Sequence, residues 1–289
     1  MILPNFDYFA PETIQDVCAL LKEKGAGASV LAGGTDLMPK MKHGLQKPTS
    51  IVSLKNLKQL QEIKNGSNGE VIVGAGATHN DLVFSELLAA KYPSIGTAAR
   101  QMAANPIRHR GTVGGNCCSA VPSADLPPIF IALGANVKIV GSAGERIISL
   151  EEFFVGPGKT VLAADEVLAE FIIPYKGMTG SNYLKFGLRR SGSLAVVGVA
   201  VAVKMKGAVC EDARIVMGAV APTPLRAKKA EEMLKGKQVT DELIKEVAAM
   251  ASTECKPITD HRGSAEYRRH LVGVFTKRAL KASIETGHV

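Results

Sequence analysis

Tryptophan is absent from the 289 residues, and phenylalanine and tyrosine bring the aromatic share to only 5%. Without aromatic rings on which bases could stack, and with lysines and arginines spread along the chain, the sequence offers no nucleic-acid surface. Its net charge of +8 then reads as solubility and as attraction for an anionic cofactor or an acidic protein partner. Long hydrophobic runs are missing too. The longest, residues 194–203, falls well short of the roughly 20 residues of a membrane helix, so no transmembrane segment is expected and the run reads as a buried strand. The first residues carry neither the basic segment nor the apolar core of an export signal, and a cytoplasmic protein is expected.

Cysteine is scarce and scattered. Cys18, Cys117, Cys118, Cys210 and Cys255 form no CxxC pair, which excludes a disulfide framework and an iron–sulfur cluster and leaves burial as the default for each. The adjacent pair Cys117-Cys118 stands out because it follows a glycine doublet, a position from which one of the two can pack against a ligand. The six histidines show no HxxxH or HxH spacing, so no zinc site is expected.

What is present is a core: 46% of residues are hydrophobic and 21% charged, enough for two domains of ordinary size. Ile14, Val17, Cys18 and Leu21 share one helical face, and Gly25 follows as a stop. Residues 29–32, 51–54, 71–74, 137–140 and 167–173 read as strands, those at 51–54 and 71–74 as antiparallel-compatible. A short turn is expected at 37–42 and helices at 79–91, 94–104 and 126–133, the second ended by Asn105-Pro106. Beyond a linker at 176–181 come strands at 183–188, 194–203 and 213–220, then helices at 227–234, 241–252 and 264–284, the last with its cations on the polar side.

Two glycine doublets about eighty residues apart carry the functional signal: Ala32-Gly33-Gly34-Thr35-Asp36, fed by a strand, and Thr112-Val113-Gly114-Gly115-Asn116, preceded by Arg108 and Arg110. A doublet removes two Cβ atoms, so backbone N–H groups can converge on an anion and φ can turn positive without strain. Thr35, Thr112 and Asn116 add neutral donors, and the pair together fits a ligand with two linked phosphates. Asp36 fits least well beside a diphosphate; it reads equally as the cap of the turn from Leu37 and as a ligand contact. Asp125 has the same two readings, N-cap of the helix from Leu126 or cofactor contact.

These motifs recur together in one family. The stretches Leu31-Ala32-Gly33-Gly34-Thr35-Asp36, Ile107-Arg108-His109-Arg110-Gly111-Thr112-Val113-Gly114-Gly115-Asn116, residues 119–125, Tyr183-Leu184-Lys185-Phe186 and residues 260–269 make the whole chain resemble the FAD-binding medium subunit of the molybdenum hydroxylases, the group of xanthine dehydrogenase and aerobic carbon monoxide dehydrogenase. The resemblance implies an α+β fold: a two-subdomain FAD-binding domain of the PCMH type over residues 1–176, then a C-terminal domain, 177–289, of a three-stranded antiparallel sheet plus helices. It implies that Ala32, Gly33, Gly34, Thr35 and Asp36 bracket the FAD diphosphate with Thr112, Val113, Gly114, Gly115 and Asn116. Asp125 corresponds to a position at the ribityl or adenosine part, and Leu168 and Lys185 to positions near the flavin and adenine ends. It also implies partners: a large subunit with the molybdenum cofactor and a small [2Fe-2S] subunit, between which and an acceptor such as NAD or a quinone this chain relays electrons. No catalytic residue or metal ligand is then required of this chain, which is incomplete alone as an enzyme. Cys117-Cys118 departs from the apolar or small residues usual there, and no cysteine-bearing insertion marks the [4Fe-4S] subtype. Two other functions compete: a stand-alone flavin oxidoreductase of the same FAD fold, which the short C-terminal part disfavours, and a non-enzymatic nucleotide-binding module.

Overall fold

A computed structural model describes residues 3–175 and 177–286 and divides them among three main sheets. The first is parallel, β1 (Asp7–Phe9), β3 (Ser50–Ser53) and β2 (Ala28–Leu31) in that order, crossed by α1 (Ile14–Lys24) and α2 (Leu37–Lys42). Helix α1 has the expected face: Val17, Cys18 and Leu21 are buried, the Thr13 hydroxyl accepts the Asp16 N–H at the start, and Gly25 ends it at φ +54. Strand β3 pairs parallel on both sides, which corrects the antiparallel reading of 51–54. All four of its residues are buried, and a strand covered on both faces carries no alternation from which to read direction.

The second sheet is antiparallel, in the order β4 (Ile63–Asn65), β5 (Val71–Gly74), β10 (Val167–Ile173), β6 (Asn136–Gly141), β7 (Gly144–Ser149), with the hairpin β8 (Phe154–Gly156) and β9 (Lys159–Thr160) beside it. Between β5 and β6 run α3 (His79–Phe84), α4 (Glu86–Lys91), α5 (Pro93–Arg100), α6 (Asn105–Arg108), α7 (Val113–Cys118) and α8 (Leu126–Ala132). The helix expected over 79–91 is therefore two. Ser85 sits extended between them, and its hydroxyl accepts the Leu88 N–H, so a side chain that competes with the helix starts a new one. The helix expected to reach residue 104 stops at Arg100, and Asn105-Pro106, instead of terminating it, opens α6, where proline needs no N–H partner.

The third sheet joins three long antiparallel strands, β11 (Gly180–Phe186), β12 (Val197–Lys206) and β13 (Val209–Gly218), extended at β13 by the two-residue strands β14 (Leu225–Arg226) and β15 (Lys237–Gln238). Helices α9 (Lys228–Leu234), α10 (Asp241–Glu254) and α11 (Ala265–Thr286) complete this part. The apolar run at 194–203 is a central strand shifted to 197–206. Val199, Val201 and Val203 join the core with α10 and α11, while Ala200 and Ala202 join the core that holds Phe130 of α8. Both faces are buried, one against valines and one against alanines, which explains an unbroken hydrophobic stretch. The boundary placed at residue 176 falls on Lys176, which lies outside the described residues.

Helix α11 does not keep all its cations on the polar side. Arg268 is buried, its Nη1 donating to the carbonyls of Val196 and Ala219 at 3.1 Å each and its Nη2 to Asp260 at 2.5 Å. Two strand ends and the segment before α11 thus meet on one guanidinium. Arg268→Ala is expected to lower the unfolding free energy by about 3 kcal/mol, because it strands buried acceptors and a carboxylate; urea denaturation of the full chain measures it.

Candidate functional site

A cavity of about 520 Å³ is walled by residues around the first doublet, by α7 and the segment after it, by β2 and β10 of the first two sheets, and by Gly192, Ser193 and Leu194 from the loop between β11 and β12. That volume is in the range of cofactor pockets. Among the described residues the His79 imidazole is the one aromatic ring that lines it.

The first doublet leaves β2 and turns into α2. A Cβ on Gly33 would fall 1.9 Å from the carbonyl oxygen of Arg110, so this glycine exists to let the two doublet segments touch. Gly34 takes φ +74, which favours glycine. Among the described residues the N–H groups of Gly33, Gly34, Thr35 and Asp36 meet no intramolecular acceptor, which leaves a row of free donors at the cavity edge. Asp36 stands at the N-cap position of α2 but makes no cap bond; its carboxylate accepts the Ser119 hydroxyl at 2.5 Å, across the two segments. The capping reading of Asp36 is thereby corrected.

The second doublet is not an open loop. It forms the first turn of α7, N-capped by Thr112, whose hydroxyl oxygen accepts the Gly115 N–H at 3.0 Å. Its amides are already in use: Val113 N–H goes to Ala77 O, Gly114 N–H to Ala75 O and Asn116 N–H to Thr112 O. Gly114 is glycine because a Cβ would press to 2.7 Å on Ala75, whereas a Cβ on Gly115 would meet only the Thr112 hydroxyl, at 2.9 Å. The expectation of two equal backbone cradles is therefore corrected to one: the second segment brings side chains, with Thr112 and Asn116 in the wall. The Oδ1 of Asn116 is buried without a partner, the kind of orphan that a bound ligand satisfies.

Ala32, Gly33, Gly34, Thr35, Asp36, Thr112, Gly114, Gly115, Asn116, Asp125 and Leu168 all reach the cavity wall; Val113 and Lys185 do not. Asp125, like Asp36, holds an N-cap position without capping. Its carboxylate accepts from Tyr183 Oη and Lys185 Nζ, both at 2.8 Å, and Lys185 also donates to the carbonyl of Gln101. Both members of this pair are buried, and they tie the C-terminal sheet to the floor of the site. Burial pushes the Asp125 carboxyl up against the pull of Lys185 and Tyr183. Of the cysteine pair, Cys117 is fully buried and Cys118 reaches the cavity wall, where burial pushes its thiol up to about 12 and keeps it protonated. Arg108 and Arg110 stay out of the wall; Arg108 donates to Met102 O.

Sequence reasoning missed several wall residues. Lys40 lies one turn into α2 beyond Asp36 and supplies a cation, a placement that the helix start at Leu37 could have shown. Ser119 and Ser123 lay inside a motif already singled out. His79 and the Gly192–Leu194 turn come from distant parts of the chain and carry no local signal. Burial, reinforced by Arg108 and opposed by Asp36, lowers the His79 imidazole to about 4. Among the described residues no cluster of side chains could hold a metal ion and no helix is long and apolar enough to cross a membrane.

Residues 4–176 match the family described as "FAD binding domain in molybdopterin dehydrogenase", and residues 182–283 match the "CO dehydrogenase flavoprotein C-terminal domain". The chain is 34% identical to the carbon monoxide dehydrogenase medium chain of Hydrogenophaga pseudoflava, over 98% of each chain. It is 33% identical to the glyceraldehyde dehydrogenase medium chain of Sulfolobus acidocaldarius, over 97% of this chain and 99% of that one. The solved carbon monoxide dehydrogenase of H. pseudoflava superposes with a TM-score of 0.95 over 99% of both chains. A dinucleotide with a diphosphate fits the cavity: amides on the first segment that are free among the described residues, neutral donors on the second, and an unpartnered buried amide oxygen on Asn116.

Two measurements probe the site's electrostatics. A histidine held at about 4 in the fold and near 6.5 when unfolded contributes stability above pH 6.5 that is lost as pH falls through that window towards 4. The loss is on the order of 3 kcal/mol, and denaturant titrations of wild type should show it where His79→Phe does not. Lys185→Met is expected to cost about 3 kcal/mol by leaving the buried Asp125 carboxylate without its cation, with only the Tyr183 hydroxyl as partner, and adding Asp125→Asn to recover most of that, as thermal melts of the two variants will show.

Proposed function

Since the chain belongs to the FAD-binding medium subunits of the molybdenum hydroxylases, whose members include the medium chains of carbon monoxide dehydrogenase and the FAD-binding subunit of xanthine dehydrogenase, we propose that it is the electron-transfer subunit of a multi-subunit hydroxylase. In this reading it sits between a small [2Fe-2S] subunit and an external acceptor, NAD or a quinone, and a large subunit with the molybdenum cofactor oxidises the substrate. Residues 1–176 hold the cofactor and 177–289 form the second domain. The observation that carries the reading is the run of N–H groups from Gly33 to Asp36, free among the described residues, at the edge of a cavity walled by both parts of the chain.

FAD, when bound, supplies the capacity to take up an electron pair and release it. The chain's own residues bind and orient. The amides of Gly33, Gly34, Thr35 and Asp36 hold the diphosphate from one side, and the hydroxyl of Thr112 and the amide of Asn116 from the other. Gly115 keeps that approach open. Asp125 and Lys185 act from beneath, fixing the floor through their ion pair, and Leu168 supplies apolar wall. The naming of relatives as medium chains, and the description of a solved relative as a Cu,Mo-CO dehydrogenase, support partners of both other sizes.

Isolation of the native complex from its source is the test. We expect one FAD per chain, co-elution with a molybdenum-containing larger subunit and an iron–sulfur smaller one, and reoxidation of the substrate-reduced complex by either NAD or a quinone. A colourless chain would point to a nucleotide-binding module instead, and a yellow chain that oxidises a substrate unaided to a stand-alone flavin oxidoreductase. In the same preparation Gly115→Val should lower FAD content by at least about tenfold with the fold retained, since its Cβ would meet only the Thr112 hydroxyl, at 2.9 Å, and its branches would enter the cavity that Gly115 lines.

A further inference from the structure

His79 stands in the wall of the cavity, and its ring nitrogen Nδ1 has no hydrogen-bond partner among the described residues. It opens α3 behind a capping box in which Thr78 and Asp81 satisfy each other, and its backbone N–H goes to Gly111 O at 3.0 Å. The Cδ2–Nε2 edge lies so close to Gly111 that a Cβ there would come within 2.9 Å of both atoms. The other ring nitrogen, Nδ1, is buried without a hydrogen-bond partner among the described residues. Only 3% of the residue meets solvent.

The charged neighbours do not supply the missing partner. Arg108 spends its Nη1 on the carbonyl of Met102, and Asp36 accepts from Ser119; both act on the ring through space. Burial holds the imidazole neutral at physiological pH, with one N–H and one lone pair. Buried polar atoms are nearly always paired, so an orphan in a ligand cavity is explained by a bond that forms with the ligand.

We propose that His79 is a cofactor-contact residue, whose Nδ1 finds its hydrogen-bond partner on the bound dinucleotide; the inference rests on the FAD reading of the cavity. The ring is then a group the empty fold tolerates and the loaded fold needs. Its replacement should move two quantities in different directions, which a packing residue would not do.

The experiment compares the full chain with His79→Leu and His79→Asn, measuring the FAD dissociation constant by flavin titration and the melting temperature of the FAD-free protein. His79→Leu is expected to bind FAD at least about tenfold more weakly while the FAD-free form melts no lower than wild type. His79→Asn, whose amide nitrogen can take the place of Nδ1, is expected to stay within about threefold of wild type. Unchanged FAD affinity in His79→Leu, or a melting temperature that falls together with the affinity, overturns the proposal, as does an Asn variant as weak as the Leu one. A wild-type chain that takes up no FAD overturns the cofactor reading itself, and the His79 contact with it.

Discussion

The site depends on one close approach, that of Gly33 to the carbonyl of Arg110. The first of the two segments leaves β2 of the parallel sheet and the second lies between α6 and α7, on the connection from β5 to β6 of the antiparallel one, and any side chain on Gly33 would drive them apart. Their contact sets the distance between the free amides of the first segment and the hydroxyl and amide side chains of the second. The bond from Ser119 to Asp36 spans the same gap a few residues further on, so the cavity is fixed at two points across its lip. A carboxylate that would repel a diphosphate is in this way given a partner of its own.

The two doublets look alike as text and differ in chemistry. In the first, glycine serves a close approach and a positive φ, and the backbone donors are left over. In the second, the helix and the neighbouring segment at Ala75 and Ala77 consume the donors, and glycine serves packing. The place of the site could thus be read from the spacing of the glycines, but the division of labour could not, because it depends on which acceptors the fold brings alongside. Asp36 and Asp125 teach the same lesson. Each precedes a helix, which is what an N-cap looks like in sequence, yet each carboxylate turns to a partner more than fifty residues away.

Local rules served well where the decision was local. The face and the end of α1 follow from an apolar spacing and a glycine. They failed where tertiary covering erased the pattern: β3 hides its direction because both faces are buried, and the strand at 197–206 hides its alternation because valine and alanine are both apolar. Ser85 and Pro106 are each compatible with two local structures. Serine can sit within a helix or start one, and proline can end a helix or open the next.

The C-terminal part is more than an appended domain. Its central strand shares a core with α8 through Ala200 and Ala202, Tyr183 and Lys185 reach down to Asp125, and the Gly192–Leu194 turn forms part of the cavity wall. The turn is itself anchored to the cofactor side, since the Gly192 N–H and the Ser191 hydroxyl both donate to Ala103 O. Arg268 holds the strand that follows this turn by the carbonyl of Val196. A continuous set of contacts therefore runs from the last helix, through one guanidinium and one strand end, to the roof of the cavity. Because each of these groups is buried or spent on a partner, a change at α11 reaches the roof through covalent and hydrogen-bonded structure. The shape of the cofactor cavity is thereby a property of the whole chain and not of the glycine segments alone.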